Sequence, residues 1–194
     1  MTGVILSGGA SRRMGQAKAW LEVGGRACIA RVWDACRQAS LEPEFQGSLP
    51  DLASAFGGAA VHPDPEAGQG PLAALAAAME RHAGEGLLLL ACDMPFLSPA
   101  LLRGIAAGLD GADWAAPEAG GRLHPLCAAY GPAALPQAQE LLAAGRRDMH
   151  ALLTAPGLRG RRLAVLADWG DPDALLMNVN TPEDLERARR LAAG

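Results

Sequence analysis

Residues 3–18 read GVILSGGASRRMGQAK, and this stretch sets the reading of the whole chain. Val4 to Leu6 form an apolar run that ends in Ser7-Gly8-Gly9, the pattern of a buried strand feeding a tight, open loop. Such a loop lies at the strand's C-terminal edge. Gly8 and Gly9 lack a Cβ, so the backbone there can adopt unusual dihedrals and bring its N–H groups close to a ligand. Ser11, Arg12, Arg13 and Lys18 add donors and positive charge around the same concavity, which suits a polyphosphate. A plain strand-to-helix turn is the alternative for the glycine pair alone. The spacing is not that of a Walker loop, since Lys18 lies beyond Gly15 with no Ser or Thr after it, and no G-x-G-x-x-G dinucleotide fingerprint is present.

Lys18 stands apart in a chain with sixteen Arg and this one Lys. Arg is therefore the usual surface cation here, and a compact ammonium is not interchangeable with a guanidinium fork against phosphate. A phosphate contact is one reading of Lys18 and an incidental surface position the other.

At 194 residues the expected organisation is one domain, 1–194, large enough for a substantial core. The formal charge of −4 argues against a general nucleic-acid binder, so any cationic site is local. Cys28, Cys36, Cys92 and Cys127 form no C-x-x-C pair and follow no secretory segment. They read as reduced, buried thiols of a cytoplasmic protein rather than disulfide or zinc ligands. No apolar run approaches the roughly 18 residues of a membrane span.

Strands and helices alternate along the chain. After an extended arm through Trp20, Leu21 and Val23, apolar residues Ile29, Val32, Trp33 and Cys36 recur at helical spacing over 27–39. A short strand at 44–46, a helical turn after Pro50 and a strand at 59–62 follow. The loop from Pro63 leads into a helix over 71–82, with Pro71 suited to its first position. Residues 86–92 are apolar throughout, as in a central strand of a parallel sheet covered on both faces. Ser98 and Pro99 are an N-cap and first residue for a helix to about 109. Strands are expected at 113–116, 126–130 and 163–167, and helices at 132–144, 149–153 and 181–191, the last capped by Thr181 with Asp184 three residues on. This order predicts an α/β fold, a three-layer α/β/α sandwich around a mostly parallel, Rossmann-like sheet, with ligands beyond the strands' C-terminal ends.

Four loops should then meet at one rim: the glycine-rich loop, 63–71, the segment at Asp93, and the one before or after the strand at Leu126. The Asn178-Val179-Asn180 segment joins them. Asp93 is the sharpest single residue, because a carboxylate at the end of a buried apolar strand must face the rim to escape an unpaired burial. It could supply an oxygen ligand to Mg2+ that also touches substrate phosphates, or cap the helix after it. Asp64 is a candidate second carboxylate. His124 could face the site or cover the sheet, and Asn178 and Asn180 could contribute to it or cap the last helix. His82 and His150 read as ordinary surface or helix-end residues. The histidines have no metal-ligand spacing.

LSGGASRRMGQAK, GPLAAL at 70–75, CDMPFL at 92–97, His124-Pro125-Leu126 and NVNTPEDL at 178–185 together resemble the molybdenum cofactor guanylyltransferases. The likeness spans nearly the whole chain with the motifs in the same order. It implies a nucleotidyltransferase that moves GMP from Mg-GTP to the terminal phosphate of molybdopterin and releases pyrophosphate. By the resemblance, Gly8, Gly9, Ser11, Arg12, Arg13, Met14 and Lys18 hold GTP, Asp93 holds the metal, and backbone near Leu6 and Gly70 meets guanine and ribose, with Ser7 and Pro71 beside them among the binding residues. Arg12, Lys18 and Asp93 are then the catalytic candidates. Implied partners are GTP and molybdopterin, with cofactor-insertion proteins and molybdoenzyme chaperones as further ones, and neither nucleic acid nor membrane. Two positions differ from the family pattern: Ala17 stands where an acid usually precedes the loop lysine, and Gln46-Gly47-Ser48 replace an Asn-rich end of the second strand. The rival readings are a molybdopterin cytidylyltransferase, another nucleotidyltransferase, and a nucleotide-binding or assembly protein without turnover.

Overall fold

The computed structural model describes residues 1–8, 18–65, 69–165 and 167–193. Strand β1 (Thr2–Leu6) comes first, then a 3-10 turn at Lys18–Trp20, the short strands β2 (Glu22–Val23) and β3 (Arg26–Ala27), and helix α1 (Cys28–Gln38). They are followed by β4 (Glu42–Gln46), α2 (Leu52–Ala55), β5 (Val61–His62) and α3 (Gly70–Arg81). Next come β6 (Leu87–Ala91), α4 (Pro99–Gly108), β7 (Trp114–Ala119), β8 (Arg122–Leu123) and β9 (Cys127–Tyr130). The chain ends with α5 (Ala134–Ala143), α6 (Met149–Leu153), β10 (Gly160–Ala164), a 3-10 turn at Ala167–Trp169, α7 (Pro172–Leu175) and α8 (Pro182–Ala193).

The main sheet has the order β10-β7-β9-β6-β1-β4-β5, with β8 paired to β7. β6 lies at its centre, parallel to β1 and antiparallel to β9. Its leucines alternate between the two faces, as successive strand side chains must. Leu88 and Leu90 pack with Ile29 and Val32 of α1 and Leu101 and Ile105 of α4. Leu87 and Leu89 join Leu72, Leu75 and Met79 of α3 and Ala134 and Ala138 of α5. Each of these four leucines is fully buried, which is worth about 2 kcal/mol of apolar transfer apiece. Helices therefore cover both faces of a mostly parallel sheet, as the order of elements predicts. A third, smaller core joins Leu21, Val23 and Cys28 to Val179, Leu185 and Ala188, fastening the β2–β3 hairpin to the segment around α8.

Four features depart from the sequence reading. The arm before α1 is a hairpin, β2 against β3, rather than a single extended segment. β7 continues to Ala119 and turns through Gly120 and Gly121 into β8. Both glycines have positive φ, 57° and 74°, the geometry of a two-residue hairpin turn that residues with a Cβ resist. The last strand runs over Gly160–Ala164 instead of 163–167, because Arg161 and Arg162 are exposed on an edge strand that shows little apolar alternation. α7, finally, precedes α8 where no element is expected. Among the described residues no helix is long and apolar enough to cross a membrane, and all four cysteines are free thiols.

Candidate active site

β1 delivers Leu6, half-buried, and Ser7, buried, to the rim of the sheet. The Ser7 N–H donates to the Gln46 carbonyl at 2.8 Å, and its Oγ donates to the same oxygen at 3.2 Å. Gly8 follows against the loop after β5: a Cβ built there would sit 2.5 Å from Asp64 Oδ2. The missing side chain thus lets the end of β1 and the Asp64 carboxylate occupy neighbouring space. Gly70 opens α3 with φ of 79° and leaves Pro71 at the second helical position, one later than expected. Gly9, Ser11, Arg12, Arg13 and Met14 lie outside the described residues, as does Ala17.

Lys18, half-buried at the start of the 3-10 turn, donates from Nζ to Asn180 Oδ1 at 2.7 Å. Asp93 stands just beyond β6, where Asn178 Nδ2 donates to its Oδ1 at 3.3 Å and the Val179 N–H donates to its carbonyl at 2.9 Å. Two asparagines, two residues apart, therefore touch the loop lysine and the strand-end carboxylate from one short segment. Neither side chain caps α8. That task falls to Thr181, whose Oγ1 accepts from the Asp184 N–H at 3.1 Å, and to Asp184, whose carboxylate accepts from the Asn180 and Thr181 N–H groups. Asp93 does not cap α4 either, since Ser98 Oγ accepts from Leu101 N at 3.1 Å.

Burial raises the Asp93 pKa above the ordinary carboxylate value, although the charge of Lys18 and the bond from Asn178 pull the other way. A carboxylate whose ionised form is opposed by burial gains from a cation placed beside it. Among the described residues no group of three His, Cys, Asp or Glu side chains is arranged to hold a metal ion. A hard dication here would thus take Asp93 together with water and substrate oxygens, a set that fits Mg2+, which keeps several waters and uses one or two carboxylates.

Because β9 runs antiparallel to β6, the residues before it reach the same rim. His124, Pro125 and Leu126 lie there, with Met94, Asn178 and Asn180, around a cleft of 390 Å³. Arg122 and His150 also line it, and neither stands out in the sequence. The alternation of a strand offers a signal for Arg122, two residues from His124 and so on the same side of an extended hairpin. Nothing local marks His150, whose place at the start of α6 becomes relevant only through packing. A smaller hollow of 190 Å³ beside Ser98 and Leu175 contains none of the candidate residues.

Residues 3–162 match the family model of the MobA-like NTP transferase domain. The chain is 39% identical to a probable molybdenum cofactor guanylyltransferase from Pelotomaculum thermopropionicum, over 98% of this chain and 93% of that protein. It is 36% identical to the molybdenum cofactor guanylyltransferase of Rhodobacter capsulatus, over 97% and 94% of the two chains. The crystal structure of molybdopterin-guanine dinucleotide biosynthesis protein A from Archaeoglobus fulgidus superposes with a TM-score of 0.81 at 26% identity, covering 100% of this chain and 99% of that one.

Proposed function

The chain belongs to the molybdenum cofactor guanylyltransferase family, and from that premise we propose that it transfers GMP from Mg-GTP to the terminal phosphate of molybdopterin. It is a nucleotidyltransferase with GTP and molybdopterin as its substrates. A phosphate oxygen of the acceptor forms a bond to the α-phosphorus of GTP, the bond from that phosphorus to the β-phosphate oxygen breaks, and pyrophosphate leaves. The observation that carries this reading is the pair of bonds from one segment, Asn180 to Lys18 and Asn178 to Asp93. They support a centre in which a cation and a carboxylate are held together at the strand ends.

The acceptor phosphate is already an anionic nucleophile, so no strong general base is needed. The chain's tasks are to bring two anions together, hold them in line and offset their repulsion. Gly8 and the loop it begins bind the nucleotide's phosphates, and Lys18 places a compact positive charge where negative charge builds on the leaving pyrophosphate. Asn180 orients the ammonium, as Asn178 does the Asp93 carboxylate. Nucleotidyl transfer from GTP generally uses a divalent metal; as Mg2+ held by Asp93, it would neutralise and align phosphate oxygens. Backbone near Leu6 and Gly70 meets the guanosine, Ser7 and Pro71 adjoin it, Asp64 is the candidate second carboxylate, and Arg12 joins Lys18 in charge stabilisation.

Calorimetry of GTP, CTP, ATP and UTP with Mg2+, paired with a transfer assay on molybdopterin, tests the assignment. GTP should bind several-fold more tightly than CTP and alone support efficient transfer. Equal or reversed preference would move the chain to the cytidylyltransferases, and nucleotide binding without transfer would make it a non-catalytic binder.

A further inference from the structure

Arg122, His124 and His150 line one cleft, and among the described residues no carboxylate lines it with them. Among the described residues no hydrogen bond or ion pair engages the Arg122 guanidinium. The carboxylate of Asp148, the acid beside His150 in sequence, accepts from the His150 backbone N–H at 2.9 Å and is not part of the lining. Burial first, then the charges of Arg122 and His150, push the His124 pKa below its ordinary value. Three basic side chains thus share a hollow whose described lining holds no acid, and two of them disfavour charge on the third. An anion is the ligand that relieves this arrangement.

Asn178 fixes where the anion would sit. It lines the cleft and also donates to Asp93 Oδ1 at 3.3 Å, so the cleft and the strand-end carboxylate share a wall. We propose that this cleft is the acceptor subsite, in which Arg122, His124 and His150 bind the terminal phosphate monoester of the acceptor beside the transfer centre. The proposal rests on the guanylyl-transfer reading and adds to it the residues that hold the second substrate. A phosphate monoester brings about two negative charges and three acceptor oxygens near neutral pH. A guanidinium can meet two of those oxygens in parallel, while the imidazoles donate from their ring N–H groups. The β- and γ-phosphates of GTP share this chemistry, and the test separates the two sources.

Arg122→Gln and His150→Gln alter exposed side chains, and both proteins are compared with the full-length wild type. The Michaelis constant for molybdopterin should rise about tenfold or more in each, equivalent to about 1.4 kcal/mol, while GTP affinity with Mg2+ holds. In the wild type, inorganic phosphate should shift the His124 ring NMR resonances saturably, and the response should weaken strongly in Arg122→Gln. Unchanged acceptor constants in both variants, or a phosphate response that survives in Arg122→Gln, would overturn the subsite. So would a loss of GTP affinity with the acceptor constant unmoved, because the cleft would then serve the nucleotide. Absence of GMP transfer in the wild type would instead remove the guanylyl-transfer reading, and the phosphate titration would still decide whether the anion site exists.

Discussion

Asp93 illustrates how burial and charge oppose one another at a single position. Burial raises its pKa in the folded chain, so the fold prefers the protonated carboxyl. That preference stabilises the fold fully below the unfolded value of about 4 and is lost as pH rises through the higher folded value. At neutral pH an ionised Asp93 without a cation is therefore a burden on the fold. Asp93→Asn removes the charge yet keeps an oxygen for Asn178. The variant should melt at the same or a higher temperature than wild type at pH 7 without ligands, with the advantage gone below about pH 4. Its GMP transfer should fall about 100-fold or more, the range of lost transition-state stabilisation. Thermal melts at both pH values with a turnover assay check this, and a lower melting temperature with transfer retained would make Asp93 structural. The sequence displayed Asp93 because a carboxylate ending an apolar strand is conspicuous. Its partner Asn178 was visible only as part of a motif, since the bond between them joins residues 85 apart.

The pairing of β4 with α3 shows an element doing what its sequence does not advertise. Glu44, on β4, is 7% exposed, and its carboxylate accepts from Arg81 Nη2 at 2.8 Å and His82 Nε2 at 3.0 Å. Arg81 Nη2 also donates to Gln46 Oε1 at 2.8 Å, and Gln46 Nε2 donates to the Pro63 carbonyl at 2.8 Å. The chain of bonds runs from the helix through the strand to the loop that sets Asp64 against Gly8. Gln46, at a position where the family pattern suggests base or ribose contacts, is wholly buried and engaged in this clamp. Burial alone would raise the Glu44 pKa, but the bonds and charges of Arg81 and His82 hold it below the ordinary value. The stabilisation this reflects is present above the unfolded value of about 4.3 and is lost as pH falls through the lower folded value. Arg81→Ala should then destabilise the protein by about 2 kcal/mol at pH 7, with a smaller difference in acid. Urea denaturation at pH 7 and below pH 4 measures it, and a gap that does not narrow in acid would refute the role given to Glu44. Pro71 after a loop of turn-forming residues made α3 legible in the sequence, and capping residues did the same for α4 and α8. The clamp was not, because it depends on which strand lies beside which helix.

For the molecule as a whole, the alternation of strands and helices was enough to read a covered, mostly parallel sheet. The reversed direction of β9 was not readable, since an apolar strand of four residues carries no mark of its polarity. That reversal brings a segment entering a strand to the same rim as segments leaving strands. Long separations in sequence have a further consequence, in time. Lys18 meets Asn180 across 162 residues. At a synthesis rate of about 5–20 residues per second, roughly 8–30 seconds pass between the ribosome's making one residue and the other. Through that interval a growing chain has Lys18 and the central strands but not Asn180, to which the lysine donates. On the proposed reading of the site, nucleotide recognition waits until Asn180 has been made. Ribosome-bound chains arrested before residue 178 should gain no protection from proteolysis on addition of Mg-GTP, whereas chains extended by a linker past α8 should. Equal protection of both would mean that the early half binds nucleotide unaided.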